Sequence, residues 1–257
     1  MVPFIFLLSL FFSGVGYSEE PSKEKGDELL KQMSARLASA KTLTFSTSEV
    51  HERVGLSEAK KELSFSREVA LRRPDRFWFK FKGEDADAIS YYDGKLLTAV
   101  LNGQKAYAQG PVPATIDETI DYLATYYDVP MPMADIITSS PYDSLMTPDT
   151  TGGYVGEEMI EGAGCHRLSY QQEVVDWQIW IRLEGEPLPC KLVINYKQDP
   201  GQPTSTMTFK NWNLAADVKE ETFAYKIPEG YERIAMLKKV APKESPEPQS
   251  QTQENQQ

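Results

Sequence analysis

Apolar residues along this chain recur with two different spacings. Between residues 25 and 40 they fall three or four positions apart, which places them on one face of a helix: Leu30, Met33, Leu37 and Ala40. From Thr42 to Tyr196 they mostly alternate with polar residues, as in strands that bury one face and expose the other. The pattern predicts a helix packed against one large antiparallel sheet.

Two neighbouring segments show the strand pattern most clearly. The apolar side of the first carries one charged exception, Arg67, among Leu63, Phe65, Val69 and Leu71. The apolar side of the second is a ladder of aromatic rings, Phe77, Phe79 and Phe81. Further on, Asp93-Gly94 and Asn102-Gly103 predict two-residue hairpin turns that join strands at 88–92, 95–101 and 105–109.

A helical segment interrupts the strands at residues 115–128. Thr115 and Glu118 form a capping box, and the apolar face of the helix carries Ile116, Ile120, Leu123 and Tyr127. A second short helix is predicted at 133–139, closed by Pro141. Strands resume at 154–160, 165–172, 176–183, 190–197 and 205–212, and a last strand is predicted at 222–227.

The two ends of the chain do not have the composition of a folded domain. Residues 1–18 contain an apolar run followed by small residues at Gly16 and Ser18, which predicts a cleaved secretory signal peptide and a periplasmic location. The run is shorter than the roughly 20 residues that span a bilayer. From Pro242 onwards the chain has no large apolar side chain, and residues 241–257 are predicted to be a disordered tail. One folded domain is therefore expected at 19–240.

The net charge of the chain limits the classes of partner that it is expected to bind. A net charge of −11 argues against nucleic acid and anionic membrane surfaces. The local basic cluster is interpreted as the solvated face of two strands: Arg67, Arg72, Arg73, Arg76, Lys80 and Lys82. The two cysteines of an exported protein, Cys165 and Cys190, are predicted to form a disulfide, with neighbouring strands bringing them together.

The sequence offers no convincing catalytic or metal site. Cys165 and His166 are adjacent on a strand and therefore point to opposite faces. The other histidine, His51, is expected at the surface. Two histidines without a metal-ligand spacing give no zinc site, and the acidic cluster Glu84, Asp85 and Asp87 lacks the calcium-loop pattern. We therefore predict no enzyme activity, no metal and no cofactor.

The order of elements and several short motifs resemble known families. The motifs are Arg73-Pro74-Asp75-Arg76, Tyr92-Asp93-Gly94-Lys95, Pro130 to Asp135, Asp176 to Ile181, Pro187-Leu188-Pro189 leading into Lys191 to Ile194, and the closing Phe223 to Tyr231. Over about residues 27–231 the chain resembles a bacterial family of predicted periplasmic proteins of unknown function. More broadly, it resembles the LolA/LolB-like superfamily of periplasmic lipoprotein-binding half-barrels.

That resemblance implies an α+β fold that is mostly antiparallel β. A single curved sheet would form an open half-barrel, with the N-terminal helix and the mid-sheet helices on its concave side. In lipoprotein carriers of the superfamily the concave face is apolar and takes acyl chains. The resemblance carries over no catalytic residue and no specific ligand.

Two functional hypotheses follow. The first is a periplasmic binding protein for a lipid or the acyl chain of a lipoprotein, with residues 115–139 acting as a lid. Its predicted ligand contacts are Phe65, Phe77, Phe79, Phe81, Ile120, Leu123 and Tyr127. The second is a cell-envelope structural or interaction module with a closed core, whose acidic surface or tail binds a protein partner. On composition alone the aromatic residues are more typical of an ordinary core than of a ligand site.

Overall fold

The computed structural model describes residues 21–55, 59–84, 86–127, 131–225 and 227–236. The predicted signal peptide, the predicted tail and Asp85 of the acidic cluster lie outside these residues. The described chain forms one sheet of twelve strands: β1 (Thr42–Val54), β2 (Lys60–Arg72), β3 (Arg76–Gly83), β4 (Asp87–Tyr92), β5 (Leu96–Leu101), β6 (Ala106–Pro111), β7 (Thr151–Ile160), β8 (Ala163–Gln171), β9 (Val175–Arg182), β10 (Pro189–Tyr196), β11 (Thr204–Asn213) and β12 (Glu232–Ile234).

The sheet is open and almost wholly antiparallel. Its strand order is β12-β6-β5-β4-β3-β2-β1-β11-β10-β9-β8-β7, and only the β12–β6 pair is parallel. Most neighbours are joined by hairpins, but β1 pairs with both β2 and β11 and so connects the two halves of the chain. Because β12 and β7 remain as separate edges, the sheet is a half-barrel, which confirms the predicted fold class.

Four α-helices are present in the described residues, and they lie on the concave side of the sheet: α1 (Lys23–Ser39), α2 (Ile116–Tyr126), α3 (Ala134–Ile137) and α4 (Pro141–Leu145). The N-cap half of the capping box is confirmed, because Thr115 Oγ1 accepts the Glu118 N–H at 3.2 Å, while the Glu118 carboxylate accepts from the Thr115 hydroxyl at 2.9 Å. The second short helix, predicted at 133–139, is only four residues long in the structure, where it forms α3. Pro141 begins α4 instead of only ending what precedes it, since proline is well suited to the first helical turn.

One hydrophobic core fills the space between the helices and the concave face of the sheet, where it includes the first half of β1, the second half of β2 and the start of β3. Leu30, Met33 and Leu37 of α1 are fully buried there, together with Leu43 of β1 and Leu71 of β2. Each such side chain contributes about 1.5–3 kcal/mol through burial. The helix α1 approaches β7 very closely, because a Cβ on Gly26 would lie 2.7 Å from the Cα of Gly153. Glycine at this position is what permits that approach.

Two local predictions are wrong. The first hairpin turn has the expected glycine, with φ +85° at Gly94, but Asn102–Gln104 forms a 3-10 helix and Lys105 takes the positive φ of 48°. The loop is therefore longer than a two-residue turn. The predicted strand at 222–227 is also absent from its described part, because Glu220–Thr222 is a 3-10 helix. The rings of Phe223 and Tyr225 pack instead, Phe223 below Arg72 and Tyr225 against Tyr91.

The predicted disulfide between Cys165 and Cys190 is confirmed. It joins β8 to β10, which are separated by β9, and not two neighbouring strands. Cys190 lies at an irregularity in the register of β10, between Pro189 and Lys191, which pair with Ile181 and Trp180 of β9. The disulfide and Trp180 form a small cluster apart from the main core, on the convex face of the sheet. No helix in the described ranges is both long and apolar enough to cross a bilayer.

Candidate functional site

A cavity of about 1210 Å³ lies on the concave face of the sheet, at the end where β1 finishes and β2 begins. Its floor and sides come from β1 to β4, β10 and the starts of β9 and β11, and the segment before α3 covers part of it. Its volume exceeds the roughly 1,000 Å³ that marks the upper end of ordinary small-molecule pockets. The apolar residues of its lining are Val54, Leu63, Phe65, Phe81, Ala86, Ala88, Met131, Pro132, Val175, Ile194, Pro200 and Pro203.

The strand β1 shows why the cavity lies at one end of the sheet. Alternate residues of β1 face the concave side, and along the strand they change from apolar to polar: Leu43, Phe45, Thr47, Glu49, His51 and Arg53. The first two pack into the core beneath the helices. His51 and Arg53 line the cavity. The change in polarity at Thr47 thus coincides with the border between the packed core and the cavity.

A network of charged and polar side chains lies on this border. Arg67 donates from Nε and Nη2 to the two carboxylate oxygens of Glu49, at 2.9 Å and 3.1 Å. His51 Nε2 lies 2.9 Å from Glu49 Oε2, and His51 Nδ1 lies 2.7 Å from Ser205 Oγ. An ionised carboxylate only accepts, so Nε2 of His51 donates to Glu49. Thr47 donates a further hydrogen bond to Glu49.

The network holds Glu49 in its ionised form. Its side chain has no exposed surface, and burial alone raises the pKa of a carboxyl. Hydrogen bonds from His51, Arg67 and Thr47, together with the charge of Arg67, outweigh burial and lower the pKa of Glu49 to about 2. The side chain of Arg67 is 13% exposed and that of His51 is 20% exposed. The site is therefore a nearly buried ion pair with one side open to the cavity.

A second carboxyl, that of Asp135, lines the cavity from the first turn of α3. Burial raises the pKa of Asp135 to about 6, and no ion pair offsets it within the described ranges. Tyr196 of β10 also lines the cavity. Burial raises the pKa of Tyr196, as do the charges of Asp199 and Asp135, against a smaller opposite effect of its hydrogen bond with Ser205. The cavity therefore contains a carboxyl that becomes protonated under mildly acidic conditions.

The structure divides the predicted ligand contacts between two places. Phe65 and Phe81 line the cavity and stack on each other with ring centroids 4.6 Å apart. Phe77 and Phe79 stack at 4.5 Å further along the sheet, where Phe77 lies in the core and Phe79 packs against it. The three predicted contacts from the mid-sheet helix lie in the core as well: Ile120, Leu123 and Tyr127.

Sequence reasoning missed the charged part of the site. His51 was expected at the surface and Arg67 on a solvated face, but both line the cavity. The signal for Arg67 was its position on the apolar side of its strand, among Phe65 and Val69. For Glu49 the same signal exists, because it shares a strand face with Leu43 and Phe45. Nothing in the local sequence marks Asp135.

A comparison with protein-family models identifies the chain. Residues 26–237 match the model described as a predicted periplasmic protein, DUF2092. This chain belongs to the DUF2092 family. The assignment confirms the periplasmic location expected from the N-terminal segment, and it covers all of the cavity-lining residues. A search of curated proteins found no match to this DUF2092 protein.

Several solved structures are similar to this DUF2092 protein at low sequence identity. An uncharacterized conserved protein from Thermus thermophilus has 12% identity and a TM-score of 0.47, covering 81% of this chain and 97% of that chain. LprF from Mycobacterium bovis has 14% identity and a TM-score of 0.43, covering 82% and 98%. The LolA superfamily protein NE2245 from Nitrosomonas europaea has 9% identity and a TM-score of 0.39, covering 78% and 98%.

Proposed function

We propose that this DUF2092 protein is a periplasmic binding protein that holds the apolar part of a lipid, or the acyl chain of a lipoprotein, in its concave cavity. The proposal involves no catalytic step. The observation that supports it is the cavity itself, which has a volume of about 1210 Å³ and mostly apolar walls. An open apolar cavity of this size in a small domain is costly to keep empty and is typical of ligand binding.

The walls suit a flexible hydrocarbon chain. The stacked rings of Phe65 and Phe81 form a flat apolar surface on one side, and Val175 and Ile194 lie across the sheet from them. Each methylene group buried against such walls contributes about 0.8 kcal/mol. A chain of twelve carbons therefore gains roughly 9 kcal/mol before the costs of association and ordering are subtracted. Association costs of about 4 kcal/mol or more leave at most about 5 kcal/mol, which corresponds to a dissociation constant in the submillimolar range.

In this proposal the described residues Met131 to Asp135 act as a cover over part of the cavity. Met131, Pro132 and Asp135 line the cavity. Ile120 and Leu123 of α2 pack in the core instead. Phe65 and Phe81 are the predicted ligand contacts that the geometry favours. Phe77, Phe79, Ile120, Leu123 and Tyr127 support these walls from the core side.

The alternative function, an envelope interaction module, expects a closed and fully packed interior. A cavity of about 1210 Å³ does not suit that expectation. No surface feature of the described residues favours a protein partner over a lipid to a comparable degree. We therefore carry forward only the binding-protein proposal.

A cavity-filling substitution tests the proposal. Ala88 lines the cavity from β4, so Ala88→Trp is expected to fill part of it and to weaken the binding of a fluorescent acyl-chain probe at least tenfold. The matched control is Ala163→Trp, at an exposed position at the start of β8, which should bind the probe like the wild type. Equal binding by both variants, or no binding of any acyl probe by the wild type, would contradict the proposal.

A further inference from the structure

The ion pair of Glu49 and Arg67 lies where an acyl-chain cavity has no need of charge. Replacing a buried ion pair by apolar side chains of similar volume is often neutral or stabilising, so stability alone does not explain the pair. The neighbouring positions on the same face of β2, Phe65 and Val69, are apolar, whereas those on β1, Thr47 and His51, are polar and hydrogen-bond to Glu49. The ion pair thus lies where the concave face of β1 changes from apolar to polar, on the border of the cavity.

Arg67 keeps donors that Glu49 does not use. A guanidinium group has five N–H donors. Nε and Nη2 donate to Glu49, while Nη1 makes no hydrogen bond within the described part of the chain. The guanidinium lies 5.0 Å from the centre of the Phe81 ring, and the side chain lines the cavity. Glu49 and Phe81 together fix the guanidinium group of Arg67. Its free N–H donors therefore have a defined position, and little conformational entropy is lost when they bind an acceptor.

The charge balance of the site selects the kind of acceptor. Glu49 is ionised and cancels the charge of Arg67. Asp135 faces the same cavity and disfavours a further anion when it is ionised. The site therefore suits an acceptor that is polar but uncharged. The carbonyl oxygen of an ester is such an acceptor, and it comes attached to an acyl chain.

We propose that Arg67, positioned by Glu49, binds the ester carbonyl of an acylated lipid whose hydrocarbon chain occupies the apolar part of the cavity. This inference rests on the proposed function and names the class of ligand, an acyl ester rather than a hydrocarbon or a free carboxylate. The stacked Phe65 and Phe81 next to Arg67 then receive the first part of the chain.

The test compares three probes of equal chain length: methyl dodecanoate, dodecane and dodecanoate. Each displaces a fluorescent apolar reporter from the full-length protein. For the wild type, the ester should bind about tenfold or more tightly than dodecane, as one hydrogen bond to a charged donor implies. In the double variant Glu49→Leu with Arg67→Met, dodecane should bind a few times more tightly and the ester should lose its advantage.

A second variant keeps the test independent of folding. Arg67→Lys retains a positive charge beside Glu49 but lacks the planar fork, so the ratio of ester to dodecane affinity should fall. Arg233→Lys, at an exposed position on β12, is the matched control and should keep the wild-type ratio.

The possible failures are distinguishable. If the wild type binds none of the three probes, the proposed function fails. If it binds dodecane and the ester alike, or if the ratio survives in both Arg67 variants, the function stands and the ester site is overturned. Stronger binding of dodecanoate than of the ester overturns the site as well. That result would move recognition to the cations at the mouth, Arg53 and Lys61, which lie directly opposite each other.

Discussion

Arg67 of β2 holds both carboxylate oxygens of Glu49 on β1, through Nε at 2.9 Å and Nη2 at 3.1 Å. The two residues are diagonal neighbours, since Arg67 lies directly opposite Thr47 in the register of the strands. On one side of this pair the concave face is covered by helices and packed, and on the other side it is open. The pair thus marks the border between what stabilises the fold and what can receive a ligand.

Removing one partner of the pair should destabilise the protein strongly. In Arg67→Met the buried carboxylate of Glu49 loses its counter-charge, and we expect a loss of about 3–5 kcal/mol in the free energy of unfolding at pH 7. Urea denaturation measures it. The double variant with Glu49→Leu should recover most of the loss. The exposed Lys80–Glu68 pair is the control, because Lys80→Met should cost less than about 1 kcal/mol. A similar small cost for Arg67→Met would contradict this account.

Glu49 should give the protein a distinct acid sensitivity. Its pKa is about 2 in the folded state against 4.5 for the free side chain, so the unfolded state binds the proton first as the pH falls. The stabilisation is complete above pH 4.5 and disappears as the pH falls to about 2, by an amount on the order of 3 kcal/mol. Chemical denaturation at a series of pH values measures this slope. The variant Glu49→Gln should show a shallower slope in the same window, and an unchanged slope would refute the assignment.

Asp135 should give the stability of the protein the opposite dependence on pH. Its pKa is raised from 3.8 to about 6, so the folded state binds the proton more tightly and stability falls as the pH rises through that window. Above pH 6 the variant Asp135→Asn should therefore be more stable than the wild type, by roughly 3 kcal/mol. Tyr196 and Asp199, which face the same region, are unchanged in the variant. Thermal unfolding between pH 4 and pH 8 tests this, and parallel curves for the two proteins would contradict it.

The disulfide should matter for stability and not for binding. Cys165 and Cys190 are 25 residues apart, and closing a loop of that length stabilises by roughly 3.5 kcal/mol in the chain-entropy model. The cluster around Trp180 lies apart from the core and on the opposite face from the cavity. The Cys165→Ser, Cys190→Ser double variant should therefore unfold at lower urea concentration but bind an acyl probe with wild-type affinity. A parallel loss of affinity would show that the two faces are coupled.

Local sequence patterns were sufficient for the sheet but not for the site. Period-two alternation and the helix N-cap at Thr115 are local signals, and the structure follows them. Phe77 and Phe81 share one face of one strand, yet Phe77 is in the core and Phe81 lines the cavity. The difference depends on which end of the strand the helices cover. That is decided by contacts between residues more than 100 positions apart, such as Tyr142 N–H to Ser34 Oγ.

The charged residues illustrate the same limit. An arginine on the apolar side of a strand signals either a cavity or a partner, and the sequence of β2 alone does not distinguish them. The partner of Arg67 lies 18 residues earlier, on a neighbouring strand, and Ser205 of the network is 154 residues from His51. Asp135 is buried by elements from both halves of the chain. Only the assembled sheet brings these groups to one cavity.

The most direct test of the central claim is native mass spectrometry of the protein purified from the periplasm, followed by extraction and identification of what it carries. The account predicts a stoichiometric acyl-chain lipid on the wild type, an ester if the Arg67 site is correct, and its loss in Ala88→Trp. A bare protein mass that does not change after incubation with lipid vesicles or acylated peptide would contradict the claim that the cavity is a lipid site.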